Sequence, residues 1–150
     1  MPFNYSFYSI PLCWLIALYP HAYSASLLKK ANNNQRDNTN PRSTANLEHF
    51  QKVVTADIFA KSERAEACHL NGMENAPFFI GAVVVGNFVG LGASTMNIIS
   101  GTYLGLRVLY SILYINTTTQ KASFARSGVW FAGVVLLVTT YVKAGNKMNS

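Results

Sequence analysis

The sequence predicts an all-α integral membrane protein, built as a bundle of four spanning helices. Half of the 150 residues are hydrophobic and only 12% are charged, against roughly 25% charged in ordinary soluble domains. The basic residues form no single run, and they flank apolar segments that contain Trp and Tyr. The formal net charge of +6 therefore indicates a lipid bilayer as the partner and argues against a nucleic acid.

Four segments are long enough to cross a hydrocarbon core of about 30 Å, which needs about 20 apolar residues in a helix. They are residues 7–28, 63–91, 96–115 and 127–142, and we expect them to form a single domain of residues 1–150. Pro11 and Pro20 are expected to bend the first span, as spanning helices tolerate. A cleaved signal peptide is the alternative there, because "HAYSAS" resembles a cleavage site, although no Lys or Arg precedes the apolar run.

The charges of the loops predict an orientation. Six basic residues lie in the loop of residues 29–62, and Lys121 and Arg126 follow the third span. The N-terminus and the turn at residues 92–95 carry no basic residue, while Lys143 and Lys147 run against the trend. The positive-inside rule then places both basic loops in the cytosol and both termini in the lumen.

The long basic loop contains a predicted amphipathic helix. Ser43 or Thr44 can cap it, and apolar residues recur at helical spacing from Leu47 to Ile58. This helix either lies on the membrane interface or packs on a neighbouring helix, and the spacing favours packing.

Polar residues of the second span form a stripe. At 3.6 residues per turn, Arg64, Asn71 and Glu74 fall on one face, and Glu66 and His69 lie away from it. A charged group near the bilayer centre costs at least about 2.5–3.5 kcal/mol, so such groups are usually buried against protein and functional. The alternative is that these turns protrude from the membrane and are solvated.

The third span carries a matching face, formed by Tyr103, Arg107, Tyr110 and Tyr114. An unpaired Arg in an apolar helix is costly, and we expect Glu74 to be the partner of Arg107. At the same cytosolic side Arg126 and Ser127 open the fourth span. The combined set suits a small polar anion, because Arg binds carboxylates through two parallel hydrogen bonds. Two lone cysteines without a CxxC pattern predict neither a zinc site nor a disulfide.

Several of these stretches together resemble the MAPEG family, the membrane-associated proteins of eicosanoid and glutathione metabolism. They are "ERAEACHLNGMEN" with "PFF" in the second span, "RVLYSILY" in the third and "ARS" at the fourth. The resemblance is clear over residues 47–142, and the variant motif is similar to that of fungal members. Ala67 and Leu70 depart from the pattern, since the family pattern has Arg at the position of Ala67 and some synthases have Arg at the position of Leu70.

The resemblance implies a homotrimer of four-helix subunits with glutathione bound between subunits near the cytosolic surface. It implies glutathione contacts on the second and third spans and two catalytic residues on the fourth, which would stabilise the thiolate. The implied cofactor-binding residues are Arg64, Asn71, Glu74, Arg107, Tyr110 and Tyr114, and the implied catalytic residues are Arg126 and Ser127. No metal ligand is implied.

The predicted function is that of a glutathione-dependent transferase, peroxidase or isomerase in the endoplasmic reticulum membrane. Its lipophilic substrate would arrive from the bilayer along Phe78, Phe79, Trp130 and Phe131, which could equally be ordinary packing or lipid-facing residues. Two alternatives remain open. One is a natural-product isomerase or cyclase without catalytic glutathione, and the other is a non-catalytic lipid-binding or adaptor protein.

Overall fold

The computed structural model describes residues 2–149, whose regular secondary structure is entirely helical, without a β-strand. A 3₁₀ turn at Ser6–Tyr8 precedes five helices. These are α1 (Ser9–Ala31), α2 (Thr44–Val53), α3 (Ala56–Phe88), α4 (Ala93–Asn116) and α5 (Gln120–Met148). The four long helices pack as a bundle in which α3 contacts α1, α4 and α5. Its core includes the stacked rings of Phe79 and Tyr103, whose centroids lie 4.5 Å apart.

Among the described residues, α4 and α5 are long and apolar enough to cross a membrane. The other two long helices are less apolar for identifiable reasons. Tyr, Ser, Pro and His interrupt the apolar run of α1. Charged and amide side chains are spread over the first two thirds of α3. The four-span topology therefore stays a prediction for α1 and α3.

The long helices extend beyond the predicted spans. Helix α5 begins at Gln120 because Thr119 caps it, its side chain accepting a hydrogen bond from the Ala122 N–H at 3.3 Å. This leaves residues 117–119 as the connection to α4 and puts Arg126 and Ser127 in the second turn of α5. The turn expected at residues 92–95 lies earlier, at residues 89–92, where Gly90 adopts a positive φ of 71°.

The amphipathic helix of the basic loop forms as α2. Ser43 is its N-cap, and its side chain accepts a hydrogen bond from the Asn46 N–H. Phe50 is only 2% exposed, which supports the packing alternative. The helix ends at Val53, because Val54 is extended and separates α2 from α3. In the preceding loop, hydrogen bonds from the Thr39 hydroxyl and N–H lower the pKa of the Asp37 carboxyl.

The N-terminal segment is pinned to the ends of α3 and α4. The Asn4 side-chain amide donates to Asn87 Oδ1 at 2.5 Å. The Asn97 amide donates to the Phe3 carbonyl at 2.8 Å and accepts from the Tyr5 N–H at 2.7 Å. These bonds close the end of the bundle opposite the basic loop.

Helices α1 and α3 approach each other closely at Gly72. A Cβ added there would lie 2.8 Å from Ala17 Cβ and 3.1 Å from Ala17 Cα. One turn away, the buried His69 donates its Nδ1–H to the Ala17 carbonyl at 2.8 Å. The absence of a side chain at position 72 therefore fixes the distance and register between the two helices.

We predict that Gly72→Ala destabilises the bundle by about 1–3 kcal/mol, the usual range for overpacking a filled core. The backbone of α1 must shift, because no flexible side chain can move aside. Gly145→Ala in α5 is the matched control, since nothing lies within 4 Å of its Cβ position. Thermal unfolding in detergent should show a lower midpoint for Gly72→Ala alone. Equal midpoints for the two variants would contradict the close contact.

Candidate functional site

Polar side chains from three helices line an open cleft of about 150 Å³. Helix α3 contributes an amide, α4 contributes two phenols, and the second and third turns of α5 contribute a guanidinium, a hydroxyl and an indole. The lining residues are Asn71, Tyr110, Tyr114, Arg126, Ser127 and Trp130. Five of them belong to the set expected from the sequence, so the helices bring these five together.

Arg107 lies beside this cleft and is 6% exposed. Its Nη1–H donates to Asn71 Oδ1 at 3.1 Å. Its guanidinium carbon lies 4.7 Å from the centroid of the Tyr110 ring, within the range of a cation–π contact. The Asn75 amide in turn donates to the Asn71 carbonyl at 2.8 Å. Arg107 therefore holds the orientation of two lining residues.

Arg126 covers the other end of the cleft. Its guanidinium carbon lies 4.1 Å from the centroid of the Tyr114 ring, and the Tyr114 ring meets Tyr110 edge-on at 5.5 Å. The Ser127 hydroxyl donates to the Ser123 carbonyl at 3.2 Å, which leaves its oxygen lone pairs available to a ligand. Two guanidinium groups thus flank two phenols, which gives the cleft a positive potential.

The expected pairing of Arg107 with Glu74 is wrong within the described chain. Glu74 is exposed, and no salt bridge joins it to Arg107. The partner is instead the neutral Asn71 amide, one turn earlier on the same stripe of α3. The helical wheel gave the correct polar face of α3 but not the rotation of that face against α4. Glu74, the last residue of the stripe, is therefore exposed.

Arg64 also lies away from the cleft. Its Nε–H donates to the Ile115 carbonyl at 3.0 Å, close to the C-terminus of α4 at Asn116. The last carbonyls of a helix have no intrahelical partner and carry partial negative charge. Arg64 therefore caps α4 and ties it to α3.

A second polar group, which was not predicted, joins α1 to α3. His21 donates its Nδ1–H to both Glu66 oxygens at 2.9 and 3.0 Å, because an ionised carboxylate only accepts. The His21 ring also lies 5.2 Å from the ring of His69. One signal was available in the sequence: His21 is an ionisable side chain in an apolar helix and needs a partner there.

The cleft suits an anionic polar ligand. The Asn71 amide can form hydrogen bonds with a peptide group, and the phenols and the Ser127 hydroxyl can donate or accept hydrogen bonds. Arg126 offers a planar cation with several N–H donors. Among residues 2–149 no group of three or more His, Cys, Asp or Glu side chains could hold a metal ion. The departing residues Ala67 and Leu70 line a different cavity, between α1, α2 and α3.

These features define an all-helical membrane protein with a cationic polar cleft near one end of its bundle. The chain belongs to the MAPEG family, whose model matches residues 8–146. The match covers nearly the whole chain, including α1, for which the motifs gave no evidence. No individual curated protein and no solved structure matches it. Family membership supports a glutathione-related, membrane-bound class of function.

Proposed function

We propose that this protein is a membrane-bound, glutathione-dependent transferase, peroxidase or isomerase that acts on a lipophilic substrate. The observation that carries the proposal is the convergence of Asn71, Tyr110, Tyr114, Arg126 and Ser127 on one cleft, with Arg107 behind it. Membership of the MAPEG family supports the same class of chemistry.

The side chains present fit glutathione, which carries two carboxylates, two peptide groups, an amine and a thiol. Arg107 and Arg126 would face its negative charges, and Asn71 and the phenols would bond its peptide groups. Bound glutathione would supply a thiol as nucleophile or reductant. The residues of this chain would then orient that thiol, favour its thiolate form and admit the lipophilic substrate beside Trp130.

Arg126 is the best candidate for favouring the charged form. A cation beside a thiol lowers the pKa of that thiol, because it stabilises the thiolate. The stacking of Arg126 on Tyr114 fixes its position before any ligand arrives. Ser127, in the same turn, would donate a hydrogen bond to the sulfur once its hydroxyl turns from the Ser123 carbonyl.

We further propose that the site is completed by neighbouring copies in a homotrimer. The cleft of about 150 Å³ is smaller than the roughly 300–1,000 Å³ of typical ligand pockets. It is also open, since Ser127 and Trp130 are exposed on α5. A neighbouring copy would close it and could bring Glu74, which is exposed here, to a bound ligand.

We place the protein in the endoplasmic reticulum membrane with loop 29–62 cytosolic and both termini lumenal. Two sequons test this: "NYS" at Asn4 and "NTT" at Asn116. We predict that Asn116, exposed at the end of α4, stays unglycosylated because it faces the cytosol. A lumenal sequon added before residue 1 is the positive control, since Asn4 itself is bound to Asn87. Glycan on Asn116 in a glycosidase shift assay would contradict the orientation.

Glutathione binding to the detergent-purified protein tests the function. We expect a measurable Kd by calorimetry, three chains by native mass spectrometry, and thiolate absorbance near neutral pH. Binding without thiolate absorbance or turnover would favour the non-catalytic alternative. No binding by the trimer, or binding by a clean monomer, would contradict the proposed site.

A lipid-binding role without catalysis is the second candidate. It is favoured by a groove of about 380 Å³ between α1 and α4, whose lining includes Ile16, Tyr19 and Ile112. This groove is mostly apolar, although Ser111 and Asn116 also line it. A lipophilic ligand that binds equally well with and without glutathione would support this candidate.

A further inference from the structure

A separate cavity of about 410 Å³ lies between α1, the basic loop, α2 and the first half of α3. It shares no lining residue with the cleft that holds Arg126. Its volume lies within the roughly 300–1,000 Å³ of ligand pockets. The single chain builds it from four consecutive segments, so the cavity needs no second copy to form.

Apolar side chains from three helices line much of this cavity. Leu28 closes it from α1, Leu47 and Phe50 from α2, and Phe59 and Leu70 from α3. From Phe59 to Leu70 the α3 side of the lining spans twelve residues, a rise of about 16 Å at 1.5 Å per residue, and it includes Ser62, Glu63 and Glu66. The apolar side chains on α1, α2 and α3 would contact an alkyl chain laid along this length.

The side of the cavity formed by α1 and α3 carries a charge pair that is already satisfied. His21 and Glu66 both line it, and the His21 Nδ1–H donates to both Glu66 oxygens. Because this carboxylate is held by a histidine, it offers little to a cationic ligand. Ser24 of α1 and Ser62 of α3 add two hydroxyl groups to the lining.

The outer rim has a positive balance. Arg36 and Arg42, both from the loop, line the cavity, and Glu63 is the one carboxylate beside them other than the paired Glu66. The surrounding residues 29–62 add four lysines against three carboxylates, Asp37, Glu48 and Asp57. Asn46 adds an amide to the rim, although that amide already donates to the Pro41 carbonyl. An anionic head group at this rim would accept hydrogen bonds from the guanidinium groups of Arg36 and Arg42.

We propose that this cavity binds a single-chain amphiphile with an anionic head, its chain between α2 and α3 and its head at Arg36 and Arg42. The two anionic heads that fit this chemistry are a carboxylate, as in a free fatty acid, and a phosphate, as in a lysolipid. The site is separate from the glutathione cleft and does not depend on the function proposed for it.

Calorimetry with dodecanoate on the full-length protein in a nonionic detergent tests the proposal. We expect saturable binding of one dodecanoate per chain and none of its neutral methyl ester. The double variant Arg36→Gln with Arg42→Gln should raise the Kd of dodecanoate about tenfold or more, the effect of losing hydrogen bonds to a charged group. Lys121→Gln with Lys143→Gln is the matched control, because it removes equal charge from α5, outside the cavity, and should leave the Kd unchanged.

A variant that fills the cavity and a photolabelling experiment locate the binding site. Ala67→Phe, which places a ring inside the cavity, should abolish binding, whereas Arg126→Ala should not affect it. A diazirine analogue of dodecanoate should label α2 and the first half of α3. Tighter binding of dodecyl phosphate than of dodecanoate would assign a phosphate head, and the reverse order a carboxylate. Binding of the methyl ester, or wild-type binding by the double arginine variant, would overturn the proposal.

Discussion

Replacing Arg107 by Met is expected to weaken glutathione binding by about 10–150-fold while the bundle remains folded. Removing one member of a buried ion pair can cost 3–5 kcal/mol, because the other charge is left uncompensated. Here the partner is the neutral Asn71 amide, and no carboxylate of residues 2–149 pairs with Arg107. The free energy of unfolding then falls by the cost of one unsatisfied amide, about 1–3 kcal/mol. This cost is offset because the variant also removes a buried guanidinium, which is only 6% exposed.

The effect on binding should be much larger than the effect on folding. A hydrogen bond to a charged group contributes about 1.5–3 kcal/mol, which corresponds to roughly 10–150-fold in Kd. The displaced Asn71 and Tyr110 side chains would add to this, since Arg107 orients both. Calorimetry gives the Kd, and thermal unfolding with native mass spectrometry gives stability and assembly for the same preparations.

Arg107→Lys and Glu74→Gln are the comparison variants. Lys keeps the charge but lacks the planar fork, so its Kd should lie between those of the wild type and Arg107→Met. Glu74→Gln should leave the stability unchanged, because the carboxylate is exposed and unpaired with Arg107 in the described chain. Wild-type affinity in Arg107→Met would remove Arg107 from the site, and an unfolded variant would show that its charge is structural.

The polar face of α4 could be predicted because it depends on helical periodicity alone. Tyr103, Arg107 and Tyr110 recur at three and four residues and are all buried, while Tyr114 is half-buried. An apolar helix with one polar stripe must turn that stripe towards protein, whatever the neighbouring helices are. The same argument explains why residues from three helices could be assigned to one end of the bundle.

The partners of these side chains could not be predicted, because they depend on how the helices rotate and slide against each other. The helical wheel groups Asn71 with Glu74, but the rotation of α3 against α4 brings Asn71 alone to Arg107. The pairing of His21 with Glu66 depends likewise on the register of α1 against α3. That register is set by the contact of Gly72 with Ala17, and no local pattern in either helix contains this information.

Helix ends were predicted where a capping residue preceded a clear apolar pattern, and missed where it did not. Ser43 was one of the two predicted caps, with Thr44, because apolar residues at helical spacing follow it, and the structure selects Ser43. Thr119 was not predicted, because the first turns of α5 are polar and were assigned to a loop. The consequence for the site is direct: Arg126 and Ser127 lie within a formed helix, so their positions relative to Tyr114 are fixed.

Replacing Arg126 by Ala is expected to separate binding from catalysis. The variant should keep its fold and assembly, because Arg126 is half-buried and its contact with the described chain is the Tyr114 ring. Glutathione affinity should fall only modestly, since Arg107, Asn71 and the phenols remain. Thiolate absorbance near neutral pH should disappear, because without the cation the pKa of the bound thiol returns towards its ordinary value.

Turnover should fall about 10²–10³-fold, the usual cost of losing one preorganised group that stabilises developing charge. A pH titration adds a readout that a structural defect would not reproduce. With Arg126 present, thiolate absorbance should appear below the ordinary pKa of a thiol, and in Arg126→Ala its onset should move to higher pH. Lys121→Ala is the matched control, because it removes a cation from the exposed first turn of α5, outside the cleft.

The Ser127→Ala variant distinguishes the two candidates for this role. Ser127 offers a neutral hydrogen bond and Arg126 a full charge, so Ser127→Ala should shift the onset of thiolate absorbance less than Arg126→Ala does. If instead Arg126→Ala keeps wild-type turnover and Ser127→Ala loses it, the hydroxyl stabilises the sulfur and Arg126 serves to hold Tyr114 in place. If both variants keep the wild-type titration, the second turn of α5 does not act on the thiol, and the cation responsible must be Arg107 or a group from a neighbouring copy.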